Sequence, residues 1–390
     1  MTEKINIPQG YKNSPLGMIP KEWEVKRLGE FAPLQRGYDL PTDKIVRGEY
    51  PVVYSNGILN YHYEYKAKGP GVVTGRSGTI GKVTFVESNY WPHNTSLWVT
   101  DFKGNNPKYV FHLYSYINLS IFASGSGVPT LNRNDVHASK FAIPPIHEQD
   151  KIVEVLDFWD TAIEKQSELI KKLRLRKHAL MQQLLTGKKR LPGFSGEWKH
   201  VSLKSFATEV SIKNKENKGY NVLSCTKYDG LVPSLEYFGK QIYSNDLGNY
   251  KIVPMHHFAY ATNHIEEGSI GYQSKYEYGL ISPMYTVFKT DKDVIDDIFL
   301  FAVLKSHHLT YLYQSMMEGS INRRGGLRWD SFSTIKIDLP PLNEQKAISA
   351  FLKDADKEIE LANEKLARLQ SQKRGLMQQL LTGKKRIIHK

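Results

Sequence analysis

The feature that most constrains the fold of this 390-residue chain is an internal duplication. The segment MQQLLTGKKR at 181–190 recurs unchanged at 377–386, an offset of 196 residues. An ungapped comparison of 143–190 with 339–386 gives 23 identities in 48 positions, which chance does not produce. The chain therefore contains one module twice, and such a repeat determines the architecture before any single motif is considered.

A weaker similarity begins each half. Residues 23–32 and 198–207 share a Trp, a Leu and a Phe-Ala pair in the same order, at an offset of 175 residues. The stretch that follows is therefore 21 residues longer in the second half. The two halves have similar ends and different middles. This indicates that the shared ends carry one common function, while the middle of each half carries a function of its own.

Each copy of the module is predicted to form one long helix. Pro-Pro at 144–145 precedes a stretch that has no proline or glycine before Gly187. After Pro-Pro at 340–341, only Gly375 interrupts before Gly383. Proline can precede a helix but breaks its interior, and glycine is common just past a helix end. The span of 39 residues predicts a helix roughly 58 Å long at 1.5 Å per residue.

Apolar residues step by four and three along both helices, which is the heptad pattern of a coiled coil. Two such helices in one chain favour antiparallel pairing with each other about a pseudo-twofold axis, although pairing with other subunits is open. The predicted seam residues are Ile152, Leu156, Trp159, Ile163, Ile170, Leu173, Leu180, Leu184, Ile348, Leu352, Ile359, Leu366, Leu369, Leu376 and Leu380.

Two seam positions differ in size between the copies. Trp159 and Gln166 of the first copy correspond to Ala355 and Ala362 of the second. Large residues facing small ones would fit a pairing of copy one with copy two, and neutral drift is the alternative.

Lysine occupies the same seam position in both copies, at Lys177 and Lys373. A lysine in a seam can fix the register of two helices. We expect instead that the aliphatic stem packs in the seam while the amine extends to solvent.

The variable regions, 24–142 and 199–338, alternate β-rich runs with turn residues, and each has a helix-like stretch late in its sequence, at 107–122 and 295–317. This pattern predicts α+β domains, so the predicted fold is two mixed strand and helix domains joined by two long helices. The strand-like runs are 51–54, 82–86, 96–99 and 284–288. The predicted segments are 1–143 and 191–339 for the domains, with 144–190 and 340–390 for the helices.

Composition and motifs limit which binding partners and which chemical activities this chain can have. The 53 Lys and Arg against 40 Asp and Glu give a net charge of +13, which indicates a polyanion such as nucleic acid. The single cysteine, Cys225, excludes internal disulfides and a cysteine zinc site. No phosphate-binding loop, nuclease motif or histidine–carboxylate metal spacing is present, so we expect a non-catalytic chain without metal. The sequence lacks a membrane-length apolar run and an apolar leader, so we expect a cytoplasmic location.

The duplicated Pro-Pro-x-x-Glu-Gln start, long helix and Gln-Gln-Leu-Leu-Thr-Gly-Lys end around two variable domains resemble the specificity subunit of type I restriction-modification systems. The resemblance covers almost the whole chain. It implies two target recognition domains that each read one half of a bipartite double-stranded DNA site, and an antiparallel coiled coil that spaces them.

The same resemblance implies the partners and their cofactors. Two modification subunits would dock on this chain, carry S-adenosylmethionine and methylate adenine after base flipping. Restriction subunits, which use ATP and Mg²⁺ for translocation and cleavage, would join for host defence in a prokaryotic cytoplasm. No cofactor is expected in this chain itself.

Side chains that read bases are usually Arg, Lys, Asn and Gln on glycine-rich or polar loops, although each such residue can equally be a solvated loop residue. The candidates are Arg76, Ser77, Thr79, Lys82, Arg133 and Asn134 in the first domain, with Asn263, His264, Ser269, Tyr272, Gln273, Asn322, Arg323, Arg324 and Arg328 in the second.

Two other functions remain open from the sequence. One is a specificity subunit of another restriction class, with a combined nuclease and methyltransferase partner. The other is an architectural DNA-binding protein without methylation partners, which would bind without regard to sequence. An autonomous enzyme is the least favoured.

Overall fold

The computed structural model describes residues 7–125, 129–227, 229–318 and 326–387. The chain divides into two compact units. One comprises Met1–Leu169 with Ala362–Lys390, and the other comprises Ile170–Leu361. Each unit thus holds one variable region, the first part of one repeated module and the last part of the other.

The elements follow in chain order. The strands of the first unit are β1 (Tyr11–Ser14), β2 (Gly17–Pro20), β3 (Glu24–Arg27), β4 (Leu34–Arg36), β5 (Tyr50–Tyr54), β6 (Gly57–His62), β7 (Gly71–Gly75), β8 (Val83–Val86), β9 (Trp91–Pro92), β10 (Ser96–Val99), β11 (Ala123–Ser124), β12 (Thr130–Leu131) and β13 (Lys140–Ile143). Its short helices are α1 (Leu28–Phe31), α2 (Pro107–Tyr116) and α3 (Arg133–Ala138).

The long helix α4 (Ile146–Leu184) leads into the second unit. The strands there are β14 (Lys199–Ser202), β15 (Ala207–Val210), β16 (Leu223–Thr226), β17 (Gly230–Pro233), β18 (Lys251–Pro254), β19 (Phe258–Ala261), β20 (Ile270–Tyr272), β21 (Tyr278–Ile281), β22 (Tyr285–Thr290) and β23 (Lys336–Leu339). The helices are α5 (Ser234–Phe238), α6 (Asp297–Leu304), α7 (His307–Glu318), α8 (Trp329–Phe332) and the long α9 (Leu342–Leu380).

Both long helices have the predicted length of 39 residues. Each begins directly after its Pro-Pro pair and ends before a glycine with positive φ, at Gly187 and Gly383. At Gly383 a Cβ would also collide with the ring of Pro20 and approach Trp23, so glycine is required there by both backbone and space. The predicted ends of the repeated helix are confirmed.

The two units share one sheet topology. An antiparallel sheet of order β4-β10-β7-β8 in the first unit corresponds to β15-β22-β19-β20 in the second. A two-stranded pair also occurs in both, β3 with β13 and β14 with β23. The remaining strands differ: β1-β2, β6-β5-β9 and β11-β12 belong to the first unit, while β16-β17 and β18-β21 belong to the second. The predicted α+β class and the predicted strand runs are confirmed.

Each predicted late helix is broken, which corrects the expectation of one continuous helix. In the first unit α2 ends before Ile117, which has an extended backbone, and a 3₁₀ turn at Leu119–Phe122 follows. In the second unit Lys305 ends α6, and Ser306 opens α7 because its carbonyl accepts from the Thr310 amide at 3.0 Å. Local capping competes here with a continuous apolar pattern.

Segments of the two long helices pack together within each unit. In the first unit, Gln166 Nε2 donates to the Ala362 carbonyl at 2.9 Å, and Ile152 and Leu156 share a buried core with Leu380. The contact confirms the expected large-against-small pairing at Gln166.

In the second unit, Leu184 lies in one core with Ile348 and Leu352. None of the predicted seam residues is classed as exposed in either unit.

The seam lysines do not behave as expected. Lys373 binds Asp160 in the first unit, and Lys177 binds Asp356 in the second. Only 14% of the Lys373 side chain is exposed. The expected extension to solvent is wrong for Lys373, because its amine is held by a carboxylate on the other helix segment. The Lys177 amine also binds a carboxylate, but Asp356 is 62% exposed, so this amine lies at the surface.

The repeated Glu-Gln pair and the repeated Arg meet inside the first unit. Glu148 is 2% exposed and accepts from the Trp23 indole at 2.9 Å. The same carboxylate accepts from Arg386 at 3.1 and 2.8 Å, and Arg386 also binds the exposed Glu22. The start of the first module is therefore joined to the end of the second.

The second unit repeats this arrangement with the copies exchanged. Glu344, which is fully buried, binds the Arg190 guanidinium at 2.6 Å and the Trp198 indole at 3.3 Å. Here the start of the second module meets the end of the first. The neighbouring glutamine repeats too, because Gln149 accepts from the Asn106 amide at 2.9 Å and Gln345 from Asp296 at 2.8 Å.

Candidate nucleic-acid interface

An open cavity of about 430 Å³ in the first unit brings together Arg36, Arg76 and Arg133. We call it the arginine groove. Its other lining residues are Leu97, Ser124, Thr130, Leu131, Asn132 and Asn134. None of the described side chains that line it is acidic, so the groove carries unbalanced positive charge. A concave cationic surface can bind phosphate oxygens or the acceptor edges of bases.

Strand pairing positions two of these arginines. Arg36 ends β4 and lies opposite Leu97 of β10, which is in turn opposite Thr74 of β7. Arg76 directly follows β7, and its amide donates to the Thr95 carbonyl at 2.9 Å. A Cβ at Gly75 would overlap the Thr79 carbonyl, so glycine lets the loop after Arg76 fold back closely.

The third arginine is brought in by α3. The Leu131 amide donates to the Arg76 carbonyl at 2.8 Å and ties the segment before α3 to the end of β7. Asn132 caps the helix by accepting from the Asn134 amide at 3.0 Å, and Arg133 is the first helical residue.

His137 fixes α3 to the sheet. Its Nε2 accepts from the amide of Leu34, the first residue of β4, at 2.8 Å. An accepting imidazole must be neutral at that nitrogen, and burial together with the nearby Arg133 lowers the pKa of His137. The helix that carries Arg133 is thus attached to the strand that carries Arg36.

The predicted residues of the first domain are distributed unevenly. Arg76, Arg133 and Asn134 line the arginine groove, while Ser77 is half-buried and bridges to the strand residue Thr130. Thr79 is exposed outside the lining, and Lys82 donates its amine to the Asn56 carbonyl. Arg36 was missed, because nothing in its local sequence marks it and only strand pairing brings it to the groove.

The second unit builds the same backbone junction. The Leu327 amide donates to the Thr262 carbonyl at 2.9 Å, which matches the bond between Leu131 and Arg76. The predicted residues Asn263, His264 and Arg328 are exposed beside this junction. Three further predicted residues lie outside the described residues: Asn322, Arg323 and Arg324.

Two other predicted residues of this unit, Ser269 and Gln273, are buried, and a third, Tyr272, is half-buried. Ser269 and Gln273 are 6% and 2% exposed, and Gln273 Oε1 accepts from the Lys275 amide at 3.2 Å. The Tyr272 hydroxyl pairs with His256 Nδ1 at 2.8 Å while its ring packs on Phe258. In this conformation Ser269 and Gln273 are not presented to a ligand, and their reading role stays a prediction.

Two copies of the family model for the type I restriction modification DNA specificity domain match residues 20–174 and 196–371. The chain belongs to this family. The family resemblance inferred from the duplication is confirmed, and each match begins near the Trp that contacts a buried glutamate and ends within a long helix.

Relatives and solved structures agree with this assignment. The type I restriction enzyme MjaVIII specificity subunit of Methanocaldococcus jannaschii is 24% identical in an alignment of 428 positions, gaps included. The alignment covers 95% of this chain and 94% of the relative. The EcoprrI specificity subunit of Escherichia coli is 28% identical over 159 residues, 39% of this chain and 40% of the relative.

Among solved structures, the S subunit of a type I restriction-modification system from M. genitalium is similar in fold, with a TM-score of 0.55 at 14% identity over 98% of this chain and 99% of that chain. A chain from a structural study of complex assembly in the type I R-M system has a TM-score of 0.57 at 16% identity. The match covers 94% of this chain and 99% of that chain. None of the helices in the described part of this specificity subunit has the length and apolar character of a membrane span.

Two groups of described residues in this specificity subunit have ligand atoms close enough for a metal ion: His112 with Asp157 and Asp160, and His264 with Glu266 and Glu267. In the first group the carboxylates already bind Lys108 and Lys373. Burial lowers the pKa of His112, whose Nε2 lies 3.0 Å from Asp157. These contacts account for the charges of the first group within the protein.

Cys225 is half-buried and its Sγ lies 3.7 Å from the Ala259 carbonyl. Burial raises the pKa of this thiol to about 12. A thiol in this state is poorly nucleophilic, which fits a packing role.

Proposed function

We propose that this specificity subunit recognises a bipartite double-stranded DNA site, with each variable domain reading one half. The arginine groove is the observation that supports this most strongly. Three arginines, carried by two strand ends and a short helix, line one recess there. The repeated junction at Thr262 and Leu327 supports an equivalent reading surface in the second domain. Phosphate contacts from the remaining excess of basic residues would supply the salt-dependent part of the affinity.

We further propose that α4 and α9 form an antiparallel coiled coil related by a pseudo-twofold axis. The ion pairs Lys373–Asp160 and Lys177–Asp356 support it, because they join corresponding residues with the two copies exchanged. Such a pair of helices would act as a spacer whose length sets the distance between the half-sites.

The chemistry would belong to partner subunits. We propose that two modification subunits dock on this chain and bring S-adenosylmethionine for adenine methylation, and that restriction subunits using ATP and Mg²⁺ join them in the cytoplasm. The relatives' names as subunits of restriction enzymes support this assembly. This chain would itself be non-catalytic.

The proposal is tested by co-expressing the full chain with a modification subunit from the same host, in cells that otherwise lack adenine methylation. Single-molecule methylome sequencing should then show one bipartite motif with a fixed gap. The control lacks only the modification subunit and should show no methylation. A single uninterrupted motif, or methylation without sequence preference, would contradict the assignment.

The spacer role is tested by matched deletions of four residues from α4 and α9. One turn of roughly 6 Å should shorten the preferred gap by about one or two base pairs, because each residue adds 1.5 Å of helix. Four exposed residues changed to alanine in each helix serve as the control. A gap that stays unchanged after the deletions would show that the helices do not measure the distance.

A further inference from the structure

The arginine groove has a composition that suits one base in particular. We propose that Arg36, Arg76 and Arg133 make the first domain read guanine, through bidentate donation from guanidinium groups to O6 and N7 in the major groove. The inference rests on the proposed function, and it adds both a residue, Arg36, and a base identity. Guanine is the base whose major-groove edge presents two adjacent acceptors, and arginine supplies two parallel donors in a fixed fork.

The donors of these arginines are not neutralised by strong ion pairs inside the described structure. The guanidinium of Arg36 lies 3.7 Å from Asp39, and both side chains are more than half exposed, so this pair is weak. For Arg76 and Arg133 no carboxylate lies within 4.0 Å among the described residues. Guanidinium groups that line one recess with only this weak acidic pair repel each other, and an acceptor-rich ligand relieves that repulsion.

The backbone positions of two of these arginines are fixed, which favours base reading over loose phosphate contact. Arg36 is held by the pairing of β4 with β10, and Arg76 by backbone bonds of 2.9 and 2.8 Å to Thr95 and Leu131. These backbone bonds fix the points from which two of the three side chains start, which is one requirement for recognising a base edge at a fixed position. The walls of the recess include the apolar Leu97 and Leu131.

At the three corresponding positions that the structure describes, the second unit does not carry arginine. Thr262 stands at the place of Arg76, since both carbonyls accept the amide that precedes the short helix. Trp329 begins α8 where Arg133 begins α3. Ser211, the residue directly after β15, holds the register position that Arg36 holds at the end of β4. A guanine requirement set by these three arginines therefore belongs to the half-site that the first domain reads.

The test uses the full chain, with its modification subunit, to select from a pool of randomised duplexes that is then sequenced. Wild type should return two half-sites, one of which contains guanine. Arg36→Lys, Arg76→Lys and Arg133→Lys keep the charge but lose the fork, so each should reduce the preference for guanine at one position by roughly 5- to 150-fold. The other half-site should stay unchanged, which also shows that each variant is folded.

Arg47→Lys is the matched control, because Arg47 is exposed in the same unit and does not line the groove. It should leave every base preference as in wild type. The guanine assignment is overturned if the half-sites lack guanine, or if the lysine variants keep all base preferences. Uniformly weaker binding with unchanged preferences also overturns it, since that result identifies phosphate contacts. A wild-type pool without two half-sites instead contradicts the proposed function.

Discussion

Glu148 shows at the scale of single residues why the same short motifs occur twice. A carboxylate in a protein interior is stable only when its charge and its lone pairs have partners. Arg386 supplies the charge and Trp23 supplies a further donor, although these residues are separated from Glu148 by 238 and 125 positions. Glu344 uses Arg190 and Trp198 in the same way. The repeated Glu, Arg and Trp residues are therefore the partners in two equivalent buried contacts.

Removing this carboxylate should leave the Arg386 guanidinium largely buried without its main partner. Glu148→Ala is expected to lower the free energy of unfolding of the first unit by about 3 kcal/mol, as is typical when one partner of a buried pair is lost. Denaturant unfolding followed by tryptophan fluorescence measures the change. Glu22→Ala removes only the exposed partner of Arg386 and should cost much less, because exposed ion pairs are screened by solvent. Equal losses in the two variants would contradict a special role for the buried pair.

The neutral state of His137 makes the attachment of α3 sensitive to pH. Because the pKa of His137 is lowered in the folded chain, the unfolded chain takes up this proton first as the pH falls. The contribution of His137 to the free energy of unfolding is therefore present above the ordinary histidine pKa of about 6.5. It is lost as the pH falls below that value towards the lowered pKa of the folded chain. The same direction holds for His93, His112 and His257.

His137→Gln keeps an acceptor for the Leu34 amide but does not titrate. Thermal unfolding measured between pH 7 and pH 5, a window set by the ordinary histidine pKa of about 6.5, should show a smaller loss of stability in this variant than in wild type. His178→Gln, an exposed change on α4, is the control and should follow the wild-type curve. If His137→Gln and wild type lose stability in parallel, the His137 contact does not contribute to the pH dependence.

At the scale of elements, the two long helices are copies that have diverged at informative positions. Gly375 of α9 is exposed, with open space where a Cβ would be, and its counterpart in α4 is Ala179. Glycine inside a helix is less favourable than alanine because it loses more backbone entropy on folding.

Gly375→Ala should therefore stabilise the chain by about 0.5–1 kcal/mol. Ala179→Gly should destabilise it by a similar amount, and it serves as the reverse control at the matched position. Both are measured by denaturant midpoints at constant m-value. A destabilising Gly375→Ala would show that the surface at this position is needed for a contact in the folded chain.

At the scale of the whole molecule, each compact unit is completed by a segment from the opposite half of the sequence. The first unit needs 362–390, which includes Leu380 in its core and Arg386 on Glu148. Because 181–190 and 377–386 are identical, the end of the first module can in principle replace the end of the second.

A fragment of residues 1–190 should therefore form a dimer in which each copy supplies 181–190 to the other. A monomer would leave Glu148 and the apolar face at Ile152 and Leu156 uncovered. Sedimentation equilibrium measures the mass of the fragment directly, independently of its shape. Arg190→Ala in the fragment should weaken the dimer, and Arg174→Ala, an exposed change on the same helix, should not. A folded monomeric fragment would contradict this account.

The sequence by itself determined the duplication, both helix ends, the heptad seam and the four predicted strand runs, because these depend on periodicity and on residues that restrict the local backbone. Arg76, Arg133 and Asn134 could be named from local composition for the same reason. Only the tertiary structure placed Arg36 beside them, joined Glu148 to Arg386, and turned Gln273 inward. Those outcomes depend on which strands pair and which distant segments meet, and no local pattern records the register of such contacts.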